Sequence, residues 1–237
     1  MHKLIIFLML ATAFTNSGRA QSAAQQFFES GKKKHDKGNM QAAIDDYTKA
    51  IAADTTFVEA YYLRGNAYFD IGAYTQAIQD YSALINMKSE YRDAWINRGN
   101  AYYEQEVYDK ALADFTKAAA LDPRSADAWF NRGNTLFKLE KFNEAIDDFN
   151  KGLAIDKGNP DGYYDRGNAL FNLKKYEDAV ADYSMAIQLQ EGTFDYFFNR
   201  ALAYFALEMD DKACADLEIA DDLGDPQAKE YIRELCK

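Results

Sequence analysis

The tripeptide Arg-Gly-Asn stands at 64–66, 98–100, 132–134 and 166–168, each copy 34 residues after the last, with nothing gained or lost between copies. A gapless period of this length means that one supersecondary unit is repeated, which overrides the usual expectation of one or two globular domains for 237 residues. Extending the frame both ways gives six units: 24–57, 58–91, 92–125, 126–159, 160–193 and 194–227. In each, apolar residues recur at helical spacing in two stretches parted by glycine or a charged residue near the fifteenth position. Each unit therefore predicts a helical hairpin, and the chain an all-α solenoid.

Small residues suggest how the hairpins close. Gly65, Gly99, Gly133 and Gly167 are expected to face Ala77, Ala111, Ala145 and Ala179, letting the two helices of a unit approach while aromatic side chains fill the gaps beside them. Tyr81, Phe115, Phe149 and Tyr183 are expected in the core, as are Tyr74, Tyr108, Phe142 and Tyr176. The three prolines avoid helix interiors, with Pro123 and Pro160 at unit boundaries. Asp225-Pro226 predicts an N-cap and a first helical residue, opening a capping helix over 226–237.

The third unit carries Trp95, Gly99, Tyr102, Ala111, Phe115, Ala118 and Pro123; the fourth carries Trp129, Gly133, Leu136, Ala145, Phe149 and Gly152, with Lys157 in place of proline. In these residues the chain resembles the tetratricopeptide-repeat (TPR) family. The resemblance implies a superhelical solenoid of helical hairpins in which the first helix of each hairpin lines a concave face. It further implies that the second, fifth, sixth, ninth and twelfth positions of a unit face that groove. Groove candidates are then Tyr62, Phe130 and Tyr164 at the fifth position, Asn97 and Asn131 at the sixth, and Asn66, Asn100, Asn134 and Asn168 at the ninth. An amide both donates and accepts, so such a ladder suits the backbone of an extended peptide. The second position holds Glu59, Asp93, Asp127, Asp161 and Asp195, which favours a segment bearing lysine or arginine. TPR domains that clamp an acidic C-terminal tail need basic residues there, so this chain departs from that type. The alternative is that the tyrosines and asparagines serve helix stability and that another surface is used.

Two features concern polar pairs. The seventh position holds Arg64, Arg98, Arg132, Arg166 and Arg200, and the twenty-third holds Asp46, Asp80, Asp114, Asp148, Asp182 and Asp216. Since the first unit has Ser30 in place of arginine yet keeps Asp46, the expected pairing is between units, from Asp46–Arg64 through Asp182–Arg200. The alternatives are pairing within a unit and independent solvated charges. Cys214 and Cys236 lie at similar levels on consecutive antiparallel helices, so a disulfide stapling the capping helix is expected. The alternative is a reduced core thiol at Cys214.

The first twenty residues contain Lys3, an apolar run from Leu4 to Phe14 and small residues before Gln21, the pattern of a cleaved signal peptide at 1–20. The run is too short to span a bilayer as an anchor. Export to the periplasm or beyond is thus expected, with no integral membrane segment after cleavage. The formal charge is −11, and it becomes −13 without the basic Lys3 and Arg19, which argues against nucleic acid. One histidine after the leader, His35, and two cysteines give no triad or metal cluster, so neither an enzyme nor a cofactor is expected. The leading expectation is an exported scaffold that binds a protein or peptide segment in an envelope complex. The alternative is a TPR protein that stacks on copies of itself.

Overall fold

A computed structural model describes residues 21–236. These are helical throughout, with no strand among the described residues. They fall into two compact units, divided between Leu121 and Asp122. The first contains α1 (21–35), α2 (Met40–Ala53), α3 (Val58–Asp70), α4 (Tyr74–Met87), α5 (Arg92–Glu104) and α6 (Tyr108–Leu121). The second contains α7 (Ala126–Lys138), α8 (Phe142–Ile155), α9 (Pro160–Asn172), α10 (Tyr176–Leu189), α11 (Phe194–Ala206), α12 (Asp210–Asp222) and α13 (Ala228–Leu235). The expected leader at 1–20 lies outside the described residues.

Every hairpin turns in the same way. The first helix ends in a left-handed residue, Gly38, Gly72, Glu106, Glu140, Lys174 or Glu208. Its N–H and the next one return to carbonyls of the last turn, as in Glu140 N to Phe137 O at 2.9 Å and Lys141 N to Leu136 O at 2.9 Å. Glycine suits this conformation, yet four of the six positions hold glutamate or lysine. Across the turn an aromatic residue stands edge-on to the first residue of the second helix: Phe69 on Tyr74, Tyr103 on Tyr108, Phe137 on Phe142 and Phe171 on Tyr176. These twelfth-position rings brace the turn.

The two helices of a hairpin come together at glycines of the first helix through aromatic rings. A Cβ placed on Gly65, Gly99, Gly133 or Gly167 would lie 2.7 Å from a ring carbon of Tyr81, Phe115, Phe149 or Tyr183, so a ring is the nearest neighbour of each glycine. Ala77, Ala111, Ala145 and Ala179 are fully buried beside that contact. Any side chain at these glycines must displace a ring that is itself at most 1% exposed.

The Arg–Asp ladder corrects the expected register. Arg64, Arg98, Arg132, Arg166 and Arg200 each give Nε and Nη2 to the aspartate sixteen residues on, Asp80, Asp114, Asp148, Asp182 and Asp216, within the same hairpin. The reason is the glycine contact: the seventh and twenty-third positions each precede by one the residues where the helices touch. The remaining Nη1 reaches the preceding hairpin, at Thr48 from Arg64, Ser82 from Arg98, Asn150 from Arg166 and Ser184 from Arg200. Asp46 is not orphaned. Ser30 Oγ and Lys34 Nζ both donate to it at 2.6 Å, with Lys49 at 3.3 Å. Burial pulls the Asp46 carboxyl upward, but these donors outweigh it and hold the group below its ordinary value.

At the C-terminal end, Asp225 Oδ1 accepts the N–H groups of Gln227 and Ala228. This aspartate turn spends Pro226 and Gln227 before regular helix begins, so α13 starts two residues later than expected. Cys214 on α12 is bonded to Cys236, with Cα atoms 5.7 Å apart.

Candidate functional site

The first helices of the hairpins carry the polar groups expected of the concave face, and those groups are largely bonded to one another. In the first unit Asn97 Nδ2 donates to Asn66 Oδ1 at 3.0 Å and to the Tyr62 hydroxyl at 3.3 Å. Asn66 Oδ1 also accepts the Tyr81 hydroxyl at 2.8 Å. In the second unit Tyr183 donates to Asn168 Oδ1 at 2.9 Å, and Asn199 Nδ2 donates to the Tyr164 hydroxyl at 2.6 Å. Neither Asn100 nor Asn131 lacks a partner. The asparagines thus join successive hairpins as well as offering amides at a partly exposed surface.

Phe130 departs from the expectation. It is 9% exposed, and a Cβ on Gly152 or Gly162 would fall 2.5 or 2.7 Å from its ring. Phe130 is therefore a core residue, seated where two glycines of α8 and α9 leave room, and is not a groove contact. Tyr62 and Tyr164 stay partly exposed, with their rings 5.5 Å from Tyr91 and 5.0 Å from Tyr196.

Asp165 occupies the sixth position, where Asn97, Asn131 and Asn199 stand in other repeats. Burial, aided by the Asp161 charge, pushes its carboxyl up to about 6, against lowering by a hydrogen bond with Asn134 and by the Lys138 charge. The sequence carried a signal for this arrangement. Tyrosine at the twenty-fourth position, Tyr81 or Tyr183, bonds the asparagine of its own hairpin, whereas Phe149 leaves Asn134 for Asp165.

The acidic column is also partly engaged. Asp161 Oδ1 accepts the Tyr196 hydroxyl at 2.7 Å and Asp93 pairs with Arg92 at 2.6 Å, while Glu59, Asp127 and Asp195 are exposed. A cleft of about 220 Å³ opens in the first unit, with Asn66, Tyr81 and Asn97 at its floor and His35, Phe69 and Asp70 around it. Among the described residues, no group of His, Cys, Asp or Glu side chains is arranged to hold a metal ion, and no helix is long and apolar enough to cross a membrane.

Hairpins of 34 residues closed by glycine–ring contacts, with polar first helices, define a helical-repeat scaffold. The sequence profile described as TPR repeat matches residues 31–72, 65–106 and 99–140, and that described as Tetratricopeptide repeat matches 126–159 and 160–192. Together they run without a gap over more than half of the chain, which belongs to the tetratricopeptide-repeat family. No curated protein matches it in sequence. Among solved structures it is similar to the MamA protein, at 25% identity and a TM-score of 0.68 over 73% of this chain and 95% of that one. It is similar in fold to YrrB, described as a TPR protein with an unusual peptide-binding site, at 23% identity and a TM-score of 0.68 over 80% and 98%. PilF of Pseudomonas aeruginosa gives 19% identity and a TM-score of 0.75 over 91% and 99%. TPR proteins are in general scaffolds that bind protein or peptide partners, and no catalytic family is indicated.

Proposed function

We propose that this is an exported scaffold that holds an extended, basic segment of a partner protein along its first-helix face, as an adaptor in an envelope complex. The observation that carries the reading is the pairing of a pre-bonded amide and tyrosine surface with exposed carboxylates at the second position. The bonds among Tyr62, Asn66 and Asn97 fix these groups before a ligand arrives, which lowers the ordering cost of binding. The carboxylates Glu59, Asp127 and Asp195 supply the charge preference. The peptide-binding site ascribed to YrrB supports the class of ligand, on a shared fold. The leader-like residues 1–20 and the Cys214–Cys236 bridge support an oxidising destination, the periplasm or outside the cell. Replacing Asn100, Asn131 and Asn134 by alanine should weaken partner recovery in a pull-down from crosslinked envelopes without changing helical content, and unaltered recovery would refute the groove reading. A self-stacking scaffold is the second reading, favoured by exposed Ile219, Leu223 and Leu235 near the C-terminal end. Light scattering separates them, since self-stacking requires a mass that rises with concentration.

A further inference from the structure

The cleft of the first unit contains a histidine–carboxylate contact that the amide network does not use. His35, the one histidine among the described residues, places Nε2 3.4 Å from Asp70 Oδ2 and Nδ1 3.4 Å from the Tyr47 hydroxyl. The floor is fixed, because Asn66 accepts from both Tyr81 and Asn97. One wall is Phe69, whose ring is braced at 5.3 Å against Tyr74. The space of about 220 Å³ admits the end of one long side chain and is smaller than the roughly 300–1,000 Å³ of a small-molecule pocket. No lysine or arginine lines it, and Asp70 remains 44% exposed although paired.

We propose that this cleft receives a lysine or arginine side chain of the bound segment, whose cationic head takes the place of His35 on Asp70. The proposal rests on the peptide-groove reading and names its anchor subsite. Phe69 offers a flat apolar wall to the methylene stem and an aromatic face to the charge.

The test uses a capped alanine heptapeptide with one central lysine, and the same peptide with norleucine, titrated into the protein while nuclear magnetic resonance follows the ring signals of His35. At pH 8 the lysine peptide should move these signals and bind about five-fold more tightly than the norleucine peptide, the ratio given by roughly 1 kcal/mol for one partly exposed ion pair. Asp70→Asn should abolish that preference. Equal binding of the two peptides, or a preference that survives Asp70→Asn, overturns the proposal. If both peptides move only signals of other first helices, the cleft assignment falls and the groove reading stands. If neither peptide moves any signal, both fall.

Discussion

Replacing Arg98 by methionine removes the guanidinium from Asp114 while keeping most of the side-chain stem. Asp114 is 4% exposed and receives Nε and Nη2 of Arg98, both at 2.8 Å. A buried carboxylate deprived of its partner costs about 3–5 kcal/mol. Burial already lifts the Asp114 carboxyl above its usual value in spite of Arg98. Burial likewise opposes the Arg98 charge, yet the bonds to Asp114 prevail and hold the guanidinium above its ordinary value. A carboxyl raised in the folded state contributes its stability below the unfolded value and loses it as pH rises through the folded value. Arg98→Met lifts the folded value further, so its penalty should be largest near neutrality and shrink toward pH 4. Adding Asp114→Leu removes the orphan and should restore most of the loss, giving a coupling of about 2 kcal/mol or more between the two sites. Urea midpoints at unchanged slope, read by circular dichroism, measure it. Asp80, the partner that pairing between repeats would give Arg98, is the control and should couple to it by under about 0.5 kcal/mol. A coupling to Asp114 as small as that, or a penalty that ignores pH, would refute the reasoning.

Glu140 holds a φ of 58°, a conformation that costs a non-glycine residue about 1–2 kcal/mol, so Glu140→Gly should raise stability by about 0.5–1 kcal/mol after the added chain entropy of glycine. Gly72→Ala, at a φ of 74°, should lower it by about 1 kcal/mol, and an equal response of the two thermal midpoints in either direction would count against the strain argument. Asp165→Asn should stabilise the protein above pH 6 by up to about 3 kcal/mol, since the native carboxyl is raised from 3.8 to about 6, with the gain fading to nothing near pH 4. A gain that persists at pH 4 would mean that packing, not ionisation, is responsible.

The period, the hairpins and the family were legible because each is local and repeated six times: a glycine or charged residue at the fifteenth position marks the turn wherever it occurs. What the sequence withheld was which of two equivalent neighbours a side chain touches. In a solenoid every residue of a first helix faces a second helix in its own unit and another in the unit before, at separations that differ little. Counting partners along the chain favoured Asp46–Arg64, and Ser30 decided against it by acting with Lys34 as the partner of Asp46. The glycine contact settles the choice physically, since Gly99 meets Phe115 within one hairpin, each one residue from Arg98 and Asp114. Both directions are then served by one side chain: Arg98 grips Asp114 with two donors and turns the third to Ser82. That division lets a guanidinium do what a lysine at the same position could not, because only its planar fork fixes a carboxylate and a second acceptor together. The same ambiguity of neighbours hid Phe130, whose burial depends on Gly152 and Gly162 in different helices, and Asp165, whose partner Asn134 lies one repeat earlier. The polar network of the first helices is therefore set by pairs of positions, the sixth of one repeat with the ninth and twenty-fourth of the one before, and a single-position ladder of asparagines records half of each pair.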